Sequence, residues 1–280
     1  MTGRAGTDRP GLRPGAAGRP AGERPPFTVA VPAAAAVAVF GIPLAGLVWQ
    51  APWGEVASQL GDREVRQALG LSLAASLAAT AVSTVLGLPL AWLLARTTFP
   101  GRRLVRALAT LPMVLPPVVG GVALLLAFGR AGLVGGWLDR AFGVTLPFST
   151  AGVVLAETFV AMPFLVLTAE AAFRGADTGL EEAARTLGAT RWPVFRRITL
   201  PLVWPSLAAG AVLCWARALG EFGATITFAG SFPGRTQTVP LKVYLLLDTR
   251  PEAAIALSLV LVGVSVAVLA GLRSRWLGAA

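Results

Sequence analysis

The chain has 280 residues, of which 55% are apolar and only 14% are charged, and its formal net charge is +10. Soluble domains usually carry about a quarter charged residues, so the composition argues against a soluble protein and for a chain that lies in a bilayer. The basic residues lie in a tail and in loops between apolar stretches, which argues against nucleic-acid binding. Histidine is absent and Cys214 is the only cysteine, which excludes an intrachain disulfide, a His-dependent catalytic site and a zinc cluster.

The first element in chain order is a tail over residues 1–26 that is rich in Gly, Pro, Ala and Arg. Such a segment buries too little apolar surface to order itself, so we expect a disordered cytoplasmic tail. The apolar run from Phe27 to about Trp49 predicts a first membrane span, followed by an outer loop to residue 65. A cleaved signal peptide is the alternative, but this run is longer than the apolar region of a signal peptide.

Five further apolar stretches follow, which predicts an all-α integral membrane protein with six transmembrane helices. Their approximate bounds are 67–95, 107–128, 151–173, 202–229 and 253–272. Prolines within such spans are tolerated because neighbouring helices satisfy the freed backbone groups. The proline-rich run from Pro112 to Pro117 predicts a kink or an unwound turn in the third span.

The distribution of basic residues predicts the orientation. Sixteen of the 24 Lys and Arg residues lie in the tail, in the loops 96–106 and 174–200, and after the last span. Seven lie on the opposite side, and Arg217 lies within the fifth span. Since cytoplasmic loops carry the excess of positive charge, we expect a multi-pass protein of the cytoplasmic membrane with both termini in the cytoplasm.

The loop 174–200 is long and patterned. Gly188 interrupts it where a positive φ costs little, Thr190 is positioned to cap a second helix, and Pro201 marks the start of the next span. Small and apolar residues recur at helical spacing before the glycine: Leu180, Ala183, Ala184 and Leu187. The pattern predicts two short amphipathic helices outside the membrane, which either rest on lipid headgroups or dock a partner protein.

This loop resembles the EAA loop of bacterial ABC importer permeases, in which Glu-Ala-Ala is followed after three residues by Gly, and after nine more by Ile-x-Leu-Pro. The matching residues are Glu182, Ala183, Ala184, Gly188, Ile198, Leu200 and Pro201. The resemblance implies the type I importer permease fold over residues 66–275, with a short cytoplasmic C-terminus at 276–280. It also implies coupling helices that dock on an ATPase. Glu182 would then orient the helix or meet the ATPase surface, Gly188 would form the turn, and the two alanines would allow close approach.

The same resemblance implies that ATP is hydrolysed on a separate chain. Lys242 is the only lysine and no G-x-x-x-x-G-K-[ST] motif surrounds it, so the chain lacks the phosphate-binding loop of an ATPase. We therefore expect a transport subunit rather than an enzyme, with no metal or cofactor of its own; ATP and Mg would be used by the partner ATPase. The other implied partners are a second copy of this chain and an extracytoplasmic oxyanion-binding protein that docks on residues 50–66 and 230–250.

Two segments resemble the molybdate permeases in particular. Residues 215–244 contain G-E-F-G-A-T, then F-A-G and P-G-R-T-Q-T-V-P-L, and residues 115–121 read L-P-P-V-V-G-G. Sulfate permeases share much of this pattern, so sulfate or thiosulfate is the alternative substrate. Tungstate is so similar to molybdate that the sequence does not separate the two anions.

A tetrahedral dianion is bound by hydroxyl and amide donors rather than by carboxylates. Small residues in the fifth span can equally serve close helix packing. Arg217 and Glu221 are four residues apart, which predicts an ion pair with a structural or gating role. Together the pore or gate candidates are Arg217, Gly220, Glu221, Gly223, Thr225 and Thr227.

Two acidic residues of the fourth span leave a rival interpretation open. Glu157, towards the outer end, and Glu170, near the cytoplasmic interface, are expected to lie at interfaces or to form interhelical hydrogen bonds. An ion-coupled secondary transporter would instead use buried carboxylates such as Glu157 and Glu221. That class often shows inverted repeats, and no repeat is visible in this chain. A secondary transporter would also have no use for the patterned loop 174–200. An intramembrane enzyme or a membrane scaffold would not explain that loop either.

Overall fold

The computed structural model describes residues 26–277. Apart from Pro26, the tail expected over residues 1–26 lies outside the described residues, as do residues 278–280. All regular elements in the described range are helical. The α-helices are α1 Phe27–Trp49, α2 Val56–Gly61, α3 Arg63–Arg96, α4 Arg102–Thr110, α5 Pro117–Phe128, α6 Gly135–Phe142, α7 Thr150–Gly175, α8 Thr178–Thr186, α9 Arg191–Val194, α10 Leu200–Leu219, α11 Gly223–Phe228, α12 Val239–Thr249 and α13 Pro251–Leu277.

The chain forms two compact units, which meet in sequence between Trp49 and Gln50. The described part of the first unit is α1, an apolar helix of 23 residues whose bounds match the first predicted span. A helix of this length reaches across the hydrocarbon core of a bilayer. The second unit contains the remaining helices.

Five described helices are long and apolar enough to cross a membrane, and a bent pair brings the number to six. The five are Phe27–Trp49, Arg63–Arg96, Thr150–Gly175, Arg191–Leu219 and Pro251–Val268. The second span begins at Arg63 rather than near residue 67, because the Asp62 carboxylate caps it by accepting a hydrogen bond from the backbone N–H of Glu64 at 2.9 Å. The six-span prediction is therefore confirmed, with longer helices than the apolar stretches alone indicate.

The third span is broken rather than merely kinked. Its first part, Arg102–Met113, meets α5 at an angle of 118°. The break precedes Pro117, which has no N–H to continue a helical ladder. The prediction of a kink or an unwound turn between Pro112 and Pro117 is confirmed.

The contacts of this bent pair with α7 show that it crosses the bundle. Arg106 of α4 pairs with Glu170 near the end of α7, whereas Leu124 of α5 packs with Ala156 and Val160 in the first half of α7. Fourteen residues of α-helix separate Ala156 from Glu170, which is about 20 Å at 1.5 Å per residue. The pair therefore connects opposite ends of α7 and does not turn back on itself.

The fifth span differs from its prediction at both ends. It was expected to be one helix over 202–229, but α10 ends at Leu219 and a break separates it from α11, which begins at Gly223. At the other end the helix is continuous from Arg191, through a π-helical turn at Phe195–Thr199, into α10. The second loop helix is thus not a separate element and Pro201 is not a boundary. Thr190 occupies the N-cap position without a side-chain capping bond.

Helix α7 lies at the centre of the second unit and packs against α3, α10 and α11. The face of α3 that is buried consists mainly of small residues, which let two helix backbones approach closely. These residues include Ala68, Ser72, Ala75, Ser76, Ala79, Ser83, Gly87 and Ala91. The tight α3–α7 contact holds the end of α7, where the loop described next begins, against the end of α3.

Candidate functional site

The first candidate site is the loop between α7 and α10. Asp177 caps the start of helix α8, because its carboxylate accepts a hydrogen bond from the backbone N–H of Gly179 at 2.8 Å. The segment turns at Gly188, which has φ +88° and open space around the position of a Cβ atom. Glycine is therefore required by the backbone conformation and not by crowding. The predicted turn at Gly188 is present.

The apolar face of α8 points away from the rest of the chain. Leu187 is 88% exposed and Leu180 is 54% exposed, while Ala183 is exposed and Ala184 is half-buried. Glu182 is also exposed, and its carboxylate has no hydrogen bond or ion pair within residues 26–277. This helix thus presents apolar side chains and a free carboxylate that no described part of the chain covers.

The carboxylate that holds α8 in place is Glu181 rather than Glu182. Glu181 is buried and accepts hydrogen bonds from Arg96 Nη2 at 3.1 Å and from Thr199 Oγ1 at 2.8 Å. Arg185 adds a longer ion pair at 3.5 Å. Within residues 26–277 it is therefore Glu181 that makes the orienting contacts, the first of the two alternative roles expected of Glu182. A meeting of Glu182 with an ATPase surface stays a prediction.

A second ionic cluster lies beside this loop. The Glu170 carboxylate accepts a hydrogen bond from Arg106 Nε at 3.0 Å and pairs with Arg174 at 2.6 Å. Arg102 and Arg106 both donate to the carbonyl oxygen of Leu94, near the end of α3. The interhelical bonding expected of Glu170 is present, and it ties together the ends of α3, α4 and α7.

A cleft of about 1270 Å³ lies between the second half of α3 and the loop. On the loop side Phe195 packs against the rings of Trp192 and Phe173, at centroid distances of 5.8 and 6.4 Å. Of the three remaining motif residues, Ile198 and Leu200 are half-buried and Pro201 is exposed. Phe195 and Leu200 pack the start of the long fifth helix against α3 and α7.

The second candidate site is the break between α10 and α11. Glu221 is 1% exposed; its Oε2 lies 2.6 Å from Arg217 Nη1, and its Oε1 accepts a hydrogen bond from the backbone N–H of Ala224 at 2.8 Å. The ion pair predicted from the four-residue spacing is therefore present. However, Glu221 lies in the break and caps α11, instead of continuing the face of one helix.

The remaining candidates of this segment pack against α5. A Cβ added to Gly223 would lie 2.7 Å from Pro117 Cβ, and one added to Gly121 would lie 2.6 Å from Thr227 Cβ. The Thr227 hydroxyl donates to the Gly223 carbonyl oxygen at 2.9 Å. Gly223 and Thr227 thus serve a close helix crossing in this conformation.

Thr225 and Gly220 differ from these two in their surroundings. Thr225 is fully buried and its hydroxyl has no hydrogen-bond partner within the described residues, whereas Gly220 is exposed. A role for any of these residues in an anion pathway stays a prediction.

Glu157 contradicts its expected placement. It was expected at an interface or in an interhelical hydrogen bond, but it is 1% exposed and its Oε2 has no hydrogen-bond partner in the described part of the chain. The negative charge of Glu221 acts on it electrostatically. Glu157 is buried because it lies on the face of α7 that also carries the buried Val153 and Ala161.

The loop between α11 and α12 carries much of the resemblance to molybdate permeases, and its second half is internal. Thr236, Gln237 and Thr238 are buried, and Val239 donates its backbone N–H to Ser72 Oγ at 2.7 Å. The exposed part is Phe232–Arg235. Val239 therefore anchors the end of this loop on α3, and the buried Thr-Gln-Thr triplet offers little surface to a partner.

The ends of α12 are also fixed by ion pairs to the start of α3. Lys242 pairs with Glu64, and Arg250 pairs with Asp62 at 3.5 Å. At Asp62 the hydrogen bond from Glu64 N–H, assisted by Arg250, lowers the pKa of the carboxyl group from its ordinary value. Local sequence patterns do not reveal these pairs because their members are far apart in the chain.

Comparison with known proteins identifies the family. The profile of the family described as "Binding-protein-dependent transport system inner membrane component" matches residues 83–278. The chain belongs to this family. It is thus a membrane permease component, as the loop resemblance implied.

The relatives of this permease include molybdenum and sulfate transport permeases. It is 46% identical over 250 residues to the "Molybdenum transport system permease protein ModB" of Mycobacterium tuberculosis, which covers 89% of this chain and 94% of the relative. It is also 46% identical over 211 residues to the ModB protein of Escherichia coli K12, covering 75% and 92%. The "Sulfate transport system permease protein CysW" of the same strain is 41% identical over 191 residues, covering 68% and 65%.

Solved structures confirm the fold. A bacterial ABC transporter for import of the acidic polysaccharide alginate matches with a TM-score of 0.70 at 19% identity, covering 89% of this chain and 93% of that one. The MetNI methionine ABC transporter matches with a TM-score of 0.56 at 22% identity, covering 75% and 95%. The permease therefore has the predicted type I ABC importer fold.

Proposed function

We propose that this chain is the pore-forming subunit of an ATP-driven importer that carries molybdate, or the closely similar tungstate, across the cytoplasmic membrane by alternating access. The observation that carries the proposal is the 46% identity to molybdenum transport permeases over 89% of the chain. The loop with a turn at Gly188 and an uncovered apolar face supports the ATP-driven part of it.

Sulfate or thiosulfate is the second candidate substrate. The sulfate permease relative is 41% identical, but the match covers 68% of this chain. Both anions are tetrahedral dianions and need similar donors, so the difference in affinity must arise from the binding protein or from a few residues of the pathway. An ion-coupled secondary transporter has no support from the family.

The proposed ATPase partner docks on α8. Exposed leucines such as Leu180 and Leu187 bury apolar surface on association, and the free carboxylate of Glu182 can pair with a basic group of the partner. ATP and Mg are used on that chain, so this chain needs no cofactor and is not itself an enzyme. An extracytoplasmic oxyanion-binding protein docks on the exposed parts of residues 50–66 and 230–250; a related alginate transporter is described in complex with a periplasmic protein.

The proposed assembly is a homodimer with both termini of each chain in the cytoplasm. One permease chain then faces each ATPase subunit across a two-fold axis. The excess of arginine at the α3, α4 and α8 end of the bundle supports this orientation. We assign the break between α10 and α11, with the Arg217–Glu221 pair, to the gate of the pathway, and Gly220, Gly223, Thr225 and Thr227 to its walls in the open state.

ATPase stimulation tests the substrate. The permease is purified with its ATPase, reconstituted with the binding protein, and titrated with molybdate, tungstate and sulfate. We expect molybdate and tungstate to stimulate hydrolysis at low concentration while sulfate has little effect. Stimulation by sulfate alone would replace the substrate and leave the proposed machine intact.

Co-purification tests the docking surface. Leu187→Glu places a charge on the apolar face of α8 and should reduce recovery of the ATPase by about tenfold, because a buried interface charge without a partner is costly. Leu133→Glu is the matched control, since Leu133 is 91% exposed but lies between α5 and α6. Equal recovery of the ATPase with both variants would contradict docking at α8.

A further inference from the structure

One buried carboxylate joins three segments that the chain brings together at the loop. Glu181 belongs to α8, Arg96 ends α3, and Thr199 ends the π-helical turn before α10. The two hydrogen bonds to Glu181, at 3.1 Å from Arg96 and 2.8 Å from Thr199, connect residues 85 and 18 positions away. Within residues 26–277, no other side-chain hydrogen bond links α8 to a different helix.

The third of these segments is an unusual part of the fifth span. The helix from Arg191 to Leu219 is continuous, but it widens to a π-turn at Phe195–Thr199. π-turns are rare, occur frequently at functional sites, and are among the features at which a helix can kink. Thr199 is buried, and its hydroxyl is directed to the Glu181 carboxylate rather than to the carbonyl of a preceding turn. The carboxylate therefore holds the helix at the position where it can bend.

We propose that Glu181 is the positioning residue that transmits movement of α8 to the membrane helices, through Arg96 to α3 and through Thr199 to α10. This inference rests on the proposed ATP-driven transport. It separates two roles of adjacent glutamates: the exposed Glu182 faces the partner, and the buried Glu181 carries the movement inward. An ATPase that displaces α8 then moves α3 and α10 together.

The electrostatics support a rigid connection at this position. The side chains of Glu181 and Arg96 are 10% and 17% exposed, so solvent screens their attraction weakly. Breaking one side of a largely buried pair leaves the other charge without compensation, which costs far more than the loss of an exposed pair. The pair therefore resists opening when α8 is displaced, whereas an exposed contact would yield.

The test compares molybdate transported with ATP hydrolysed in proteoliposomes that contain the complete complex. Glu181→Gln should lower the transported amount per ATP by about fivefold or more, the usual lower range for coupling between sites, while the ATPase co-purifies at the wild-type ratio. Thr199→Val, which removes one hydrogen bond and keeps the size and the charge, should lower the same ratio by a smaller factor. The exchanged pair Arg96→Glu with Glu181→Arg should recover much of the ratio lost in Glu181→Arg alone.

A structural control uses the start of α8. Asp177→Ala removes the capping carboxylate of α8 without touching Glu181, so it should lower the melting temperature and leave the transport-to-hydrolysis ratio near that of the wild type. If Glu181→Gln fails to insert, Thr199→Val decides. Unchanged ratios in the Glu181 and Thr199 variants of a complex whose wild type transports would overturn this inference alone. A wild type that hydrolyses ATP without any oxyanion transport would instead overturn the proposed function.

Discussion

At the residue scale, arginine partners distinguish the buried carboxylates of the bundle. Glu170, Glu181 and Glu221 each pair with at least one arginine, whereas one oxygen of Glu157 has no hydrogen-bond partner in the described structure. An ionised group away from water is stable only when a partner compensates it. Three of these residues thus fix helix positions, and Glu157 is the exception within the core.

The Arg217–Glu221 pair leads to an asymmetric prediction. Arg217→Gln leaves the Glu221 carboxylate, which is 1% exposed, without its cation and should lower the free energy of unfolding by about 3 kcal/mol. Glu221→Gln leaves a guanidinium that is 29% exposed and retains an oxygen to cap α11, so the loss should be about 1 kcal/mol.

Denaturant unfolding of the two variants in the same detergent micelles checks this order. Glu182→Gln is a suitable reference, because Glu182 is exposed and its carboxylate has no ion pair within residues 26–277 whose loss would leave a buried charge. A Glu221→Gln variant less stable than Arg217→Gln would show that the buried carboxylate is not the group that needs compensation.

Spacing predicts local pairs and does not predict distant ones. Arg217 and Glu221 are four residues apart, so the sequence was sufficient to find their ion pair. Glu181 and Glu182 are adjacent in a helix with small neighbours, and the periodicity of apolar residues does not decide which of them is buried. The decisive partners Arg96 and Thr199 become neighbours only through tertiary packing.

At the element scale, the crossing of α5 and α11 depends on the absence of side chains. Gly223 lies against Pro117, and Gly121 lies against Thr227 and the backbone of Ala224. A proline ring cannot move away by changing rotamer, so the contact at Gly223 tolerates little extra volume. The crossing brings the two broken spans together at their breaks.

Gly223→Ala tests this crossing. The added methyl group would lie 2.7 Å from Pro117 Cβ, so we expect a loss of about 1–3 kcal/mol of stability from overpacking. Gly70→Ala is the matched control because nothing lies within 4 Å of its Cβ position in α3; it should stabilise the helix by about 0.5–1 kcal/mol. The melting temperatures of both variants in micelles provide the comparison, and equal shifts would contradict a tight crossing.

The two helix breaks differ in how well the sequence reveals them. The break before Pro117 was predictable because prolines remove backbone donors. The prolines of α10, Pro201 and Pro205, lie near its start and not at the break Gly220–Phe222. The stability of this break comes from the Glu221 cap and from packing against α5. Tertiary contacts of this kind leave no periodic signal, so a continuous fifth span was predicted wrongly.

At the scale of the whole molecule, composition and charge are sufficient to predict the six spans. The ion pairs that connect the helix ends form only through tertiary packing. The α3, α4, α7 and α8 ends share a network of arginines and glutamates. At the other end of α3, Glu64 and Asp62 pair with the helix that precedes the last span. The two ionic networks fix both ends of the bundle, and the proposed docking helix belongs to the first of them.

The most direct test of the central claim is uptake of radiolabelled molybdate into proteoliposomes that contain this permease, its ATPase and the binding protein. We expect uptake that requires ATP, is inhibited by excess unlabelled tungstate, and is little affected by excess sulfate. Uptake that proceeds without ATP but follows an imposed proton or sodium gradient would rule out ATP-driven import.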